Sequence, residues 1–128
     1  MSWMTVTRED KVAQFLRAAG KKPLERGDPY EKSYENNLLE ETEELVQAVR
    51  DYYENPCVAT RANLCKEWAD VQVVLSNIAV WLDIPASAAF NRVHANNMTK
   101  VVDGKLRLRE DGKILKPEGY VKPDMRGL

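Results

Sequence analysis

Glu40-Glu41-Thr42-Glu43-Glu44 and Glu67-Trp68-Ala69-Asp70 are the two stretches whose residue types and spacing could do chemistry. Residues three and four apart share a helix face, so each stretch can present paired carboxylates if it is helical. Burying carboxylates without partners is expensive, and several converging in a partly apolar place raise one another's pKa unless cations compensate. An oxygen-only donor set selects magnesium, with manganese as a substitute. His94 is the only histidine, which speaks against zinc.

Four helices are needed to position these groups. Thr7 can cap the first, with Asp10 three residues on. Val12, Phe15, Leu16 and Ala19 then recur at helical spacing, and Gly20 ends the helix. Lys21–Pro29 reads as a loop. The second helix is expected from about Tyr30 to Tyr53, with an apolar stripe of Tyr34, Leu38, Leu45, Val49 and Tyr52, and Asn55-Pro56 stops it. A third, capped by Thr60 and reaching Asp83, has the stripe Leu64, Val71, Val74, Leu75, Ile78 and Trp81. Pro85 suits the first turn of a fourth helix that runs to about Lys100 and buries Ala86, Phe90 and Val93. Beyond it, Asp103-Gly104 and Asp111-Gly112 are turn dipeptides between polar–apolar alternations, a hairpin signal. The expected fold is all-α: an antiparallel four-helix bundle over about residues 7–100, with a short C-terminal β-hairpin and extended tail over 101–128, in a single domain of 128 residues.

Helical phase sorts the carboxylates. On the second helix Glu40, Glu41 and Glu44 fall in one arc beside the apolar stripe, Glu41 nearest to it, while Glu43 falls toward water. On the third, Glu67 points almost along the mean apolar direction and Asp70 lies one step to its side. Antiparallel neighbours would bring the two clusters face to face. Acidic helix runs are ordinarily solvated faces, and Glu31, Glu35, Glu43 and Glu54 are read that way. The apolar side is the wrong place for a solvated face, which sets Glu67 and Asp70 apart. On the fourth helix Asn97 extends the Phe90–Val93 face and Lys100 follows one turn later. An amide and an ammonium there could serve phosphate oxygens, or simply complement a helix C-terminus. Phe15, Tyr34, Trp68 and Trp81 are core candidates first.

The bulk numbers exclude some classes. A net charge of −1 gives no reason to expect nucleic-acid binding, although residues 31–54 hold eight acidic side chains against two basic, and residues 100–128 eight basic against five acidic. That distribution suits a cation site beside an anion site. The most apolar run, Val71–Ile84, is too short and polar to span a membrane, and MSWMTVTRED does not read as a signal peptide. Cys57 and Cys65 fit neither a metal-ligand spacing nor a disulfide framework, so a cytoplasmic setting is expected.

The EExxE run, followed after 22 residues by ExxD, resembles the motif of the MazG-like all-α nucleotide pyrophosphohydrolases, a superfamily that includes phosphoribosyl-ATP pyrophosphohydrolase. NMTKVVDGK, DGKILKPEGY and KPD, within Val93–Asp124, are similar to the tail of the phosphoribosyl-ATP pyrophosphohydrolase-like branch. The resemblance implies that Glu41, Glu44, Glu67 and Asp70 bind Mg²⁺, that Glu40 helps hold a second ion or orients the attacking water, and that Asn97 and Lys100 contact phosphate. It also implies a homodimer or dimer of dimers. The reaction so implied is hydrolysis of a nucleoside triphosphate to the monophosphate and pyrophosphate, with Glu40 or Glu41 acting on the water. Phosphoribosyl-ATP is an alternative substrate, and a non-catalytic helical interaction module is the alternative of another class. A base pocket is expected to draw on Phe15, the Lys21–Pro29 loop and an aromatic of the second helix.

Overall fold

A computed structural model describes residues 5–128; the first four residues of the stretch read as carrying no signal peptide lie outside the described residues. The order is α1 (Arg8–Ala18), α2 (Lys32–Glu54), α3 (Val58–Trp81) and α4 (Ala86–Met98), with no strand among the described residues. The all-α expectation holds. The chain divides into two compact units, one reaching to Ile84 and one from Pro85 to Leu128.

In the first unit, local chemistry sets the helix ends. The Thr7 hydroxyl accepts from the Asp10 N–H at 3.0 Å and the Asp10 carboxylate accepts from the Thr7 N–H at 2.9 Å, a reciprocal cap. At the other end of α1, Gly20 turns left-handed (φ 76°) and lets the Lys21 N–H reach the Leu16 carbonyl. The end of α3 closes in the same way, with Asp83 at φ 54° and the Ile84 N–H on the Ala79 carbonyl, so the helix stops at Trp81 rather than Asp83. It begins at Val58 with Cys57 as the cap. Thr60 sits one turn inside, its hydroxyl accepting from the Cys57 N–H and donating to the Asn55 carbonyl.

α3 is the central element, packing against both α1 and α2. Only three residues separate α2 from α3, which forces an antiparallel hairpin. Tyr34 near the start of α2 stacks on Trp81 at the end of α3 (4.4 Å between centroids), and Arg61 near the start of α3 lies over Tyr52 near the end of α2 (5.9 Å). The buried Ser76 hydroxyl donates to a Glu9 carboxylate oxygen at 2.6 Å, tying α1 to α3. The core is small: Val12, Leu16, Tyr34, Ala48, Val74, Ala79 and Trp81. Of the residues expected in the apolar stripes or the core of this unit, Phe15, Ala19, Val49, Trp68 and Leu75 are exposed instead. Ala48 is buried in place of Val49 because α2 packs mainly against α3, and one neighbour covers a narrower arc than the full apolar stripe. Among the described residues no single helix is long and apolar enough to cross a membrane.

In the second unit, α4 buries no side chain, and Phe90, expected inside, is 73% exposed and stacks on His94 one turn later. Val93 is exposed and Ala86 half-buried. Side chains of α4 hold the tail. The Asn96 amide donates to the Val121 carbonyl and accepts from the Tyr120 hydroxyl, both at 2.7 Å. Arg92 donates to the carbonyls of Asp124 and Arg126. The expected β-hairpin is not formed. Both turn dipeptides turn the chain, but pairing stops at the isolated bridges Val102–Lys105 and Leu108–Ile114. The paired segments are exposed on both faces, and a two-stranded ribbon with nothing to bury is marginal.

Candidate metal centre

Between the aromatic clasps that pin the two ends of the α2–α3 hairpin, three carboxylates meet. One oxygen from each of Glu41, Glu67 and Asp70 lies within 4.8 Å of the others. Glu67 and Asp70 are one helical turn apart on α3, and Glu41 comes from the facing helix, so the group exists only because the hairpin closes. Glu67 is 8% exposed, a burial that carboxylates rarely reach without partners. One oxygen of Glu41 and one of Glu67 (Oε2 in each) are sealed from solvent and have no hydrogen-bond partner. Two such orphaned acceptors in one place are costly to leave alone.

The electrostatics agree with the geometry. Glu41 is pushed above the ordinary carboxylate range, first by burial, then by the neighbouring Glu44 carboxylate, then by Asp70 and Glu67. The nearest compensation is Lys66, whose ammonium lies 2.7 Å from Asp70 Oδ2 and 3.4 Å from Glu67 Oε1. Sequence reasoning passed over Lys66, although its place four residues before Asp70 was the available signal.

The remaining expected site residues are distributed as follows. Glu44 is exposed but adjacent to Glu41, one helical turn on. Glu40 is exposed and is not brought into the three-carboxylate group. Glu43 is exposed as well. In the second unit Asn97 and Lys100 meet each other, Nζ to Oδ1 at 3.2 Å, and Lys100 lies over the Tyr120 ring at 5.4 Å, as Lys116 also does. In the first unit a cavity of about 270 Å³ is lined by Lys21, Lys22, Tyr30, Tyr34 and Trp81 among others. It includes the loop and the second-helix aromatic expected of a base pocket, but Phe15 does not line it.

Residues 30–104 match the model of the MazG nucleotide pyrophosphohydrolase domain. That span holds all three converging carboxylates and more than half of the chain. The chain belongs to the MazG family. No curated protein matches it. The MazG family is one of nucleotide pyrophosphohydrolases, and its enzymes typically depend on a divalent metal. The donor set fits such an ion: three carboxylates, two of which carry a buried and unsatisfied oxygen, with no histidine or cysteine among them.

Proposed function

We propose that this MazG-family protein hydrolyses a (deoxy)nucleoside triphosphate to the monophosphate and pyrophosphate by attack of water at the α-phosphorus, with Mg²⁺ as its cofactor and Mn²⁺ as a substitute. The observation that carries the reading is the orphaned oxygen pair of Glu41 and Glu67 inside the Glu41–Glu67–Asp70 group. Glu41, Glu44, Glu67 and Asp70 would hold the divalent ion. A bound ion supplies neutralisation of phosphate charge and acidification of water. Glu40 or Glu41 would take the proton of the attacking water. Glu40, exposed on the adjoining arc of α2, orients that water from the solvent side. Asn97 and Lys100, already side by side, contact phosphate oxygens through an amide N–H and an ammonium. No covalent intermediate is required.

The working form is proposed to be a homodimer or dimer of dimers. Leu39, Val46, Val49 and Tyr53 are all exposed and fall on one face of α2, an apolar stripe suited to a second copy of the chain. A cytoplasmic setting is consistent with Cys57 and Cys65, both free and exposed. Pyrophosphate release from a panel of NTPs, dNTPs and phosphoribosyl-ATP, with and without Mg²⁺, tests the reading. Metal-dependent release from a nucleoside triphosphate is expected. Turnover confined to phosphoribosyl-ATP would move the assignment to the histidine-synthesis activity, and no turnover on any of them would leave a non-catalytic helical module.

A further inference from the structure

We propose that Lys66 is a built-in competitor of the divalent ion: its ammonium occupies Glu67 and Asp70 when no ion is bound and so sets how tightly the centre takes one. The inference rests on the metal-centre reading above and concerns its regulation.

Lys66 is placed by covalent geometry rather than by chance. It stands four residues before Asp70 and one before Glu67 on α3, so its flexible stem returns the ammonium to both carboxylates at 2.7 and 3.4 Å. These are two of the three residues whose oxygens converge. Among the described residues no other lysine or arginine pairs with Glu41, Glu67 or Asp70. The Lys66 side chain is itself 64% exposed, so it can swing into solvent without disturbing the core. Glu41 contributes its buried, unpartnered oxygen from the facing helix and makes no ion pair with Lys66. The ammonium therefore neutralises the α3 side of the group and leaves the α2 side open. A divalent ion that bridges the two helices must displace Lys66 or bind beside it. In either case the lysine opposes the ion, whereas an ordinary exposed lysine of a helical i,i+4 pair would leave metal affinity where it is.

The test uses the full-length protein and Mn²⁺ alone, without nucleotide, read by electron paramagnetic resonance of free Mn²⁺ and by calorimetry. Lys66→Met and Lys66→Gln are expected to bind Mn²⁺ about tenfold more tightly than the wild type, the effect of removing one positive charge about 5 Å from a divalent ion in a water-like dielectric. Their metal-free melting temperatures are expected to fall, because Glu67 and Asp70 lose a counter-ion. Lys66→Arg, which keeps the charge, is expected to stay within twofold or so of wild-type affinity. Unchanged or weaker Mn²⁺ binding in both neutral variants, with the wild type binding normally, overturns the role of Lys66. Absence of Mn²⁺ binding by the wild type overturns the metal centre and this proposal with it.

Discussion

On the α2–α3 face, Glu41, Glu67 and Asp70 converge from two helices, and two of their oxygens are buried without partners. In the second unit, charges are equally dense but stay exposed or half-buried, and those that pair do so close at hand: Arg109 with Asp111, Arg126 with Asp124, and Lys100 with the Asn97 amide and the Tyr120 ring. The Arg126 guanidinium holds Asp124 down to about 2, whereas Glu41 is driven the opposite way by burial and like charges. Charge that satisfies itself in water contributes little and asks for nothing. Charge buried without a partner is costly, and that distinction, rather than the number of acidic or basic residues, sets the candidate metal centre apart.

The comparison is broken most sharply at Glu67. Glu67→Gln removes a ligand while keeping its shape, and metal-dependent pyrophosphate release is expected to fall by at least about 100-fold. The metal-free melting temperature should hold or rise, because one of three mutually repelling carboxylates is gone. A folded Glu67→Gln protein with wild-type turnover would remove Glu67 from the centre. A smaller effect is expected in the second unit. Lys100→Met should lower kcat/KM by about tenfold, the value of one charge-assisted contact to phosphate, without altering Mn²⁺ affinity. A parallel loss of Mn²⁺ binding would mean that Lys100 acts on the metal centre rather than on the substrate.

A third test uses pH. Because Glu41 binds its proton more tightly when folded than when unfolded, the folded state holds more protons between the ordinary carboxylate range and its raised value. In that window stability falls as pH rises. Thermal melts of the metal-free protein, taken upward in pH from the ordinary carboxylate range, should show this decline. It should be absent in Glu41→Gln and suppressed by added Mg²⁺. A decline that persists unchanged in Glu41→Gln would assign the proton to another group. The smallest effect belongs to Glu43→Gln, on the exposed side of the same acidic run, where turnover should change by less than about twofold.

The helices were legible because their signals are local. The Thr7–Asp10 cap, the stop at Gly20 and the Asn55-Pro56 break act over one turn, and each appears where the residues place it. Glu43 was legible as exposed and Glu67 as buried because helical phase alone divides the faces of α2 and α3. The hairpin misled for the same reason inverted. Its turn dipeptides are local and both turn the chain, but strand pairing depends on a surface to cover, and these segments have none. Phe15, Trp68 and Phe90 misled because hydrophobicity says only that a side chain gains by burial, not whether this chain covers it.

What the sequence determined by itself was therefore the set of helices, those ends that a cap or a breaker marks (Thr7–Asp10, Gly20, Asn55-Pro56) and the presence of two carboxylate pairs at helical spacing. Only the tertiary structure decided which carboxylates converge. It selected Glu41 from a run of four glutamates, joined it to Glu67 and Asp70, left Glu40 in solvent, and disclosed Lys66 as the counter-ion of Glu67 and Asp70. The reason is physical: a residue's face on a helix follows from a rotation of about 100° per residue, whereas the register of one helix against another is set by long-range packing, here by Tyr34 on Trp81 and Arg61 over Tyr52.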